Sequence, residues 1–278
     1  MSKEVNGVIV VNKEADMTSR DVVNELVKIF NTKKIGHTGT LDPLATGVLV
    51  CTIGKYTKLT ELLTSTYKEY VASMKLGVTT DTYDIEGKIL KETKVNLTEE
   101  EIKKAINSFK GEYEQTVPFY SSVKVKGKKL YEYARDGIEV SLPKRKVDIK
   151  ELEILSIDKD IVKFKTLVSK GTYIRSLIND IGDTLGCGAI MTSLNRTKQG
   201  LFDIADSYTL DDIKKGNYKF VDIIKYLDIF SVEVDDYLYN KIKNGSILKN
   251  RYNKDLVLFK KIMRCLLYTR YMKKTKVK

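Results

Sequence analysis

The stretch KKIGHTGTLDPLATGVLV (residues 33–50) holds the only histidine of the chain, His37, five residues before the carboxylate of Asp42. Gly36, Gly39, Gly47 and Pro43 punctuate it. That spacing predicts a shaped loop with close backbone approach rather than a regular packed element. An aspartate of ordinary pKa, near ~3.9, is ionised at neutral pH and can act as base, nucleophile or metal ligand. Pro43 pushes Asp42 toward an extended backbone and removes one donor. Buried in such a loop, the carboxylate needs a cation to stay charged, and the sequence offers Arg175 in GTYIR. His37 could serve as base, stacking plate or hydrogen-bond donor. A purely structural turn is the competing reading of the whole stretch.

Other chemical motifs have less support. Gly54-Lys55 is followed by Tyr56, and no glycine stands five positions before Gly54, so a phosphate-binding Walker loop is absent. A dinucleotide GxGxxG is also missing. DTYDIEG (81–87) offers Asp81, Asp84 and Glu86 but fails calcium-loop spacing, and reads better as a polar turn between strands.

The elements that must position these residues follow from periodicity. GVIVVNK (7–13) and VLVCTI (48–53) read as buried strands. Thr18 or Ser19 caps an amphipathic helix through Phe30, with Val22, Val23, Leu26, Val27 and Phe30 on one face. A short helix carries Leu59, Leu62 and Leu63. KEYVASMKLG (68–77) alternates Tyr70, Ala72, Met74 and Leu76 inward as a strand. Thr98 and Glu101 form a capping box for a helix to Phe109, closed by Gly111. Residues 118–140 suggest a β-turn and a short helix, and 147–169 a hairpin of two strands. GTYIRSLINDIGDTLG gives a helix whose Ile174, Leu177, Ile178, Ile181 and Leu185 share a face. Residues 190–230 show no clear pattern, and a new short module begins near Phe230. Strands and helices without a strict βαβ rhythm predict an α+β fold, a mixed, largely antiparallel sheet with flanking helices.

The 278 residues suit one large domain with a small appendage. No apolar run approaches the roughly 18 residues of a membrane helix. The first residues lack the basic-then-apolar signal pattern. Three scattered cysteines argue against a disulfide framework or a thiolate metal site and suit a reducing cytoplasm. The net charge of +12 is uneven: 118–150 carry 9 Lys/Arg against 4 Asp/Glu, and 231–278 carry 13 against 4, while the rest is near neutral. Localised basicity is the footprint of a polyanion partner, although a solvated lysine-rich face would look the same.

HTGTLDPLATGVL closely resembles the signature of the TruB-type tRNA pseudouridine synthases, which isomerise a uridine in the T arm, position 55 of the tRNA. KEYVASMKLGVTTDTYDIEG, VPFYSSVKVKGKKLYEYARDGIEV and SKGTYIRSLINDIGDTLGCGA resemble further blocks of that family, in the same order, from about Asn6 to Leu210. The resemblance implies the pseudouridine synthase fold over 1–230 and a C-terminal RNA-binding module of the PUA type over 231–278. It implies that Asp42 is the catalytic nucleophile and that Arg175 pairs with it. It makes Tyr70 a stacking plate for uracil and a proton shuttle, Tyr173 and Leu194 walls of the uridine pocket, His37 a wedge in the T-loop, and Lys13 a residue of the pocket entrance. Asp84 stands behind these. Segment 118–146 is similar to the family's RNA-gripping insertion, with Lys124, Lys126, Lys128, Lys129 and Arg135 facing phosphates of the tRNA T stem-loop. The reaction conserves atoms, so no cofactor and no metal are implied. A cytoplasmic monomer without membrane contact is the expectation.

Two departures stand out. The family's KP-x-G-x-TS block reads NKEADMTS here, with Glu14 for proline and Asp16 for glycine. The end, KKIMRCLLYTRYMKKTKVK, lacks strand alternation, so the C-terminal module is expected to be atypical or incomplete. A non-catalytic tRNA-binding or tRNA-folding protein on the same scaffold is the alternative, disfavoured by the retained Asp42, Tyr70 and Arg175.

Overall fold

The computed structural model describes residues 5–64, 67–223, 230–244, 246, 257–261 and 264–268. The chain divides into two compact units, Met1–Val221 and Asp222–Lys278.

In the first unit, β1 (Gly7–Lys13) is buried along its length and leads to α1 (Ser19–Phe30). Thr18 accepts from the Asp21 backbone while Asp21 reaches back to the Thr18 backbone, a closed capping box. A short β2 (Ile35–His37) and β3 (Thr46–Ile53) follow. After a 3-10 turn at Gly54–Leu59 and α2 (Thr60–Leu63), β4 (Tyr67–Leu76) buries every second residue, including Tyr70, Ala72, Met74 and Leu76. β5 (Val78–Thr80) and β6 (Ile89–Glu92) form a small hairpin. α3 (Glu99–Asn107) has its expected Thr98–Glu101 box and leads to β7 (Gly111–Thr116).

The segment after Pro118 folds as β8 (Lys124–Val125), β9 (Lys128–Lys129) and α4 (Leu130–Arg135). Its two-residue turn, Lys126-Gly127, has both φ angles positive (49° and 86°), the backbone of a tight hairpin turn. β10 (Lys144–Asp158) and β11 (Ile161–Ser169) pair antiparallel as expected. α5 (Ile174–Thr184) buries Ile174, Leu177, Ile178 and Ile181.

The stretch after 188, without a clear pattern in sequence, is an interior strand of the sheet. β12 (Ala189–Gln199) pairs antiparallel with β4 and parallel with β3. It was illegible because two of its inward positions carry Arg196 and Gln199, both 0% exposed, which breaks the apolar alternation a strand is recognised by. The main sheet runs β1-β3-β12-β4-β11-β10-β7, with β2 beside β3 and β13 (Phe202–Asp203) beside β12. Every pairing but β3–β12 is antiparallel, so the α+β expectation holds. One core packs β4, β10 and β11 with α3 and α5; a second packs β1 and β3 with α1 and α6 (Leu210–Lys214).

In the second unit, a strand at Ser231–Glu233 pairs parallel with Val257–Lys261, which pairs antiparallel with Arg264–Tyr268. A helix at Asp236–Lys243 lies between them in sequence. Residues 264–268 are thus a strand where alternation is lacking, because RCLLY is a short apolar run and such runs also pair as strands. The rest of the basic tail, 269–278, lies outside the described residues, as do residues 224–229 beside the expected boundary. Among the described residues no helix is long and apolar enough to cross a membrane.

Candidate active site

The loop 38–45, between β2 and β3, is held by its backbone. Ser19, the first residue of α1, accepts from the Leu41 N–H at 2.8 Å and its hydroxyl lies 3.2 Å from the Leu41 carbonyl. Arg196 donates from Nε to the Val48 carbonyl at 2.7 Å, from Nη2 to Gly39 at 3.0 Å and from Nη1 to Thr40 at 3.4 Å. Gln199 Nε2 donates to the Thr38 hydroxyl. Lys13, 1% exposed, donates to the carbonyls of Glu14 (2.7 Å) and Pro43 (3.1 Å). Burial drives its pKa down to about 8, against the pull of the Asp42 charge. A loop rich in glycine has little side-chain packing to fix it, so buried donors must do so through its carbonyls.

The Asp42 side chain is 35% exposed, whereas that of Arg175 beside it is 6% exposed. Arg175 Nε lies 2.9 Å from Asp42 Oδ2. This contact is a charge pair whose N–H is not aligned for a hydrogen bond. The other guanidinium nitrogens donate to the Thr82 and Tyr120 carbonyls, each at 3.0 Å, and Nη1 lies 3.5 Å from Asp84 Oδ2. Asp84, 4% exposed, accepts from Thr82 Oγ1 and from the Glu86 N–H at 3.1 Å. The DTYDIEG turn therefore does more than reverse the chain: it brings a buried carboxylate to the guanidinium. A buried cation between two carboxylates and two carbonyls is compensated and fixed in rotamer.

Asp42 opens onto a cavity of roughly 230 Å³. Tyr70 and Leu194 line it from neighbouring strands, Tyr173 and Arg175 from the start of α5, and Tyr120 and Tyr131 from the segment after Pro118. Tyr173 is positioned by Gln115, 1% exposed on β7. Gln115 Oε1 accepts from the Tyr173 N–H at 2.8 Å and Nε2 donates to the Tyr173 carbonyl at 3.1 Å. Gln115 Nε2 also donates to the Tyr113 hydroxyl, which faces Asp180 Oδ2 at 3.3 Å. Burial raises the phenols of Tyr173 and Tyr113 and lifts Asp180 to about 6.

The fold thus gathers Asp42, Tyr70, Tyr173, Arg175 and Leu194 around one cavity. Lys13 lies under the loop, bonded to its backbone, rather than in the cavity lining. His37 stands on β2 where the loop begins, half-buried, its Nδ1 without a partner; burial and the nearby Arg196 charge lower its pKa. Of the basic residues after Pro118, Lys128 pairs with Asp136 and sits 4.9 Å from the Tyr133 ring centre. Lys129 and Arg135 lie over the Tyr131 ring at 5.3 and 5.5 Å. Lys124 and Lys126 are on the β8–β9 hairpin. Sequence reasoning missed Ser19, Gln115 and Arg196; the available signal was a polar residue at an inward position of a strand or helix.

The family profile of the TruB family pseudouridylate synthase N-terminal domain matches residues 27–174, and that of the tRNA pseudouridylate synthase B C-terminal domain matches 175–229. The chain belongs to the TruB family. It is 47% identical to a tRNA pseudouridine synthase B of Clostridium tetani over 264 residues, 94% of this chain and 91% of that one. It is 45% identical to one of Caldanaerobacter subterraneus over 258 residues, 92% of this chain and 90% of that one. Among solved structures, a Cbf5-Nop10-Gar1 complex contains a chain that superposes with a TM-score of 0.67 at 28% identity, over 92% of this chain and 75% of that one. An H/ACA RNP bound to a substrate RNA containing 2'-deoxyuridine gives 0.65 at 27%, over 92% and 74%. The two solved chains share the overall fold described above.

Proposed function

We propose that the protein isomerises uridine 55 in the T-loop of tRNA to pseudouridine, with Asp42 as nucleophile. The observation that carries this reading is the Asp42 carboxylate, open to a cavity of nucleobase scale and paired from behind by a buried guanidinium. The names of the relatives support the reaction class and tRNA as substrate.

The reaction breaks the N1–C1′ bond, turns the uracil and joins C5 to C1′; C5 loses a proton and N1 gains one. The atoms balance without water, oxidant or cofactor. Asp42 supplies the electron pair that holds one fragment, at C1′ of the sugar or C6 of the base. Arg175 aims that carboxylate and balances its charge. Tyr70 stacks on the base and carries the C5 proton, and Leu194 closes the pocket beside it. The base must leave the T-loop stack, at a cost of a few kcal/mol, offset by these contacts. The segment 118–146 and the unit after Val221 grip the tRNA outside the cavity, the latter as a PUA-like module.

Asp42→Asn keeps the size of the side chain and removes the nucleophile. With tRNA tritiated at uridine C5, it should release no tritium while binding tRNA with unchanged affinity. Turnover by Asp42→Asn at the wild-type rate would remove Asp42 from the chemistry, and wild-type protein that releases no tritium would leave tRNA binding or folding as the function.

A further inference from the structure

Lys68 and Lys13 are the two buried lysines among the described residues. Lys13 donates to two carbonyls; Lys68, 9% exposed, has neither hydrogen bond nor ion pair among the described residues. It stands on β4 two residues before Tyr70, on the same inward side of the strand, a step of roughly 7 Å. Its neighbour Glu69 faces the other way, taken up by Thr197 (2.7 Å) and Lys165 (3.0 Å). Lys68 Cε lies 3.4 Å from the point a Cβ of Gly39 would occupy, and Arg196 Nη1 lies 3.6 Å from that same point. The charges of Arg196 and of the exposed Lys170 both act on Lys68. Together with burial they lower its pKa to about 8. Among the described residues no carboxylate answers this group. Gln199 Oε1, 3.6 Å from the same Gly39 point, is neutral and itself without a partner among the described residues.

A lysine about nine-tenths buried beside a buried guanidinium, with no counter-ion among the described residues, costs free energy unless an anion arrives with the ligand. We propose that Lys68 is the receptor for one phosphodiester of the bound RNA, next to the nucleotide whose base enters the Asp42 cavity. Gly39, having no side chain, leaves the approach open, and Lys170 adds its field at the rim. The assignment rests on the reading of the protein as an RNA-modifying enzyme and names which side chain neutralises which part of that substrate. A phosphodiester fits better than a carboxylate ligand, because the cavity two residues along the strand takes a base and the backbone must pass beside it.

The test is binding of a T-arm RNA against salt, with Lys68→Met. One lost phosphate contact makes log Kd against log salt shallower by about 0.7, and affinity at 0.1 M salt falls about tenfold. Neutral methylphosphonates placed singly around the target uridine identify the phosphate. At one position the replacement should weaken wild type about tenfold and leave Lys68→Met unaffected. The exposed Lys170→Gln, which disturbs no core, should show a smaller coupling to that same phosphate, so the assignment stays testable if Lys68→Met does not fold. An unchanged salt slope, or additivity at every phosphate, overturns it. So does stabilisation of wild type, but not Lys68→Met, by inorganic phosphate with the RNA slope unaltered, which would make this a free-anion site. Wild-type protein that makes no pseudouridine in T-arm RNA would fail the functional reading instead, whereas normal turnover with no Lys68 effect fails only this one.

Discussion

Gly47 and Arg196 face each other across the parallel pairing of β3 and β12, so closely that a Cβ on Gly47 would lie 2.3 Å from the Arg196 carbonyl oxygen. Gly47 also sits at φ +98°, where an L side chain is strained. Glycine is thus required twice at the point where the active-site loop enters the sheet. Gly47→Ala should cost more than about 3 kcal/mol, read as a fall in the urea midpoint or as loss of soluble protein.

Arg196 itself holds two carbonyls of the loop that carries Asp42, Gly39 and Thr40, and that of Val48 on β3 just after it, without touching the cavity. Arg196→Lys keeps the charge but cannot serve the three acceptors at once. It should lower single-turnover tritium release about 100-fold while tRNA affinity stays within a factor of about three, since most affinity comes from phosphate contacts elsewhere. Added guanidinium should partly restore turnover to Arg196→Ala; no rescue would separate Arg196 from loop geometry.

Arg175 is shared between Asp42 and Asp84. Removing it leaves Asp84 buried without a counter-ion, so Arg175→Ala should destabilise by about 3–5 kcal/mol. Adding Asp84→Asn to that variant should recover stability, although Asp84→Asn alone is destabilising. A double-mutant cycle in urea measures the sign of this coupling.

Gln115 satisfies both backbone polar groups of Tyr173. Gln115→Ala should cost about 2 kcal/mol for the unpaired amide and carbonyl. Because Tyr173 lines the Asp42 cavity, where the base is proposed to bind, kcat should fall with KM for tRNA little changed. Equal losses in both would refute the positioning role.

Asp180 titrates near 6 in the folded protein, raised by burial from 3.8. The folded state therefore holds a proton that the unfolded chain has released, and stability falls as pH rises from about 4 to 6. Above that range the penalty is complete. Asp180→Asn should raise the melting temperature at pH 7 and leave it nearly unchanged at pH 4; an equal shift at both would exclude this titration.

Sequence pattern was enough for β1, β3, β4, β10, β11, α1, α3 and α5, because each carries an apolar run or an apolar face in its own period, and α1 and α3 carry capping signals as well. Asp42 was legible from a loop whose glycines and proline fit no packed element. β12 was not, since Arg196 and Gln199 occupy inward positions that a pattern reader expects to be apolar.

What the chain settles locally is therefore most of the elements, the α+β class and the candidate acid of the loop; each depends on residues a few positions apart. Which partners the acid has is a different matter. Asp42 meets Arg175, and Arg175 meets Thr82, Asp84 and Tyr120, only when β3, β5, α5 and the segment after Pro118 are brought together. Gln115 finds Tyr173 only because β7 ends beside α5. Burial, not spacing, leaves Lys68 without a counter-ion. Local propensity is written in the backbone's short-range sterics, whereas charge compensation depends on which distant groups the folded sheet excludes from water.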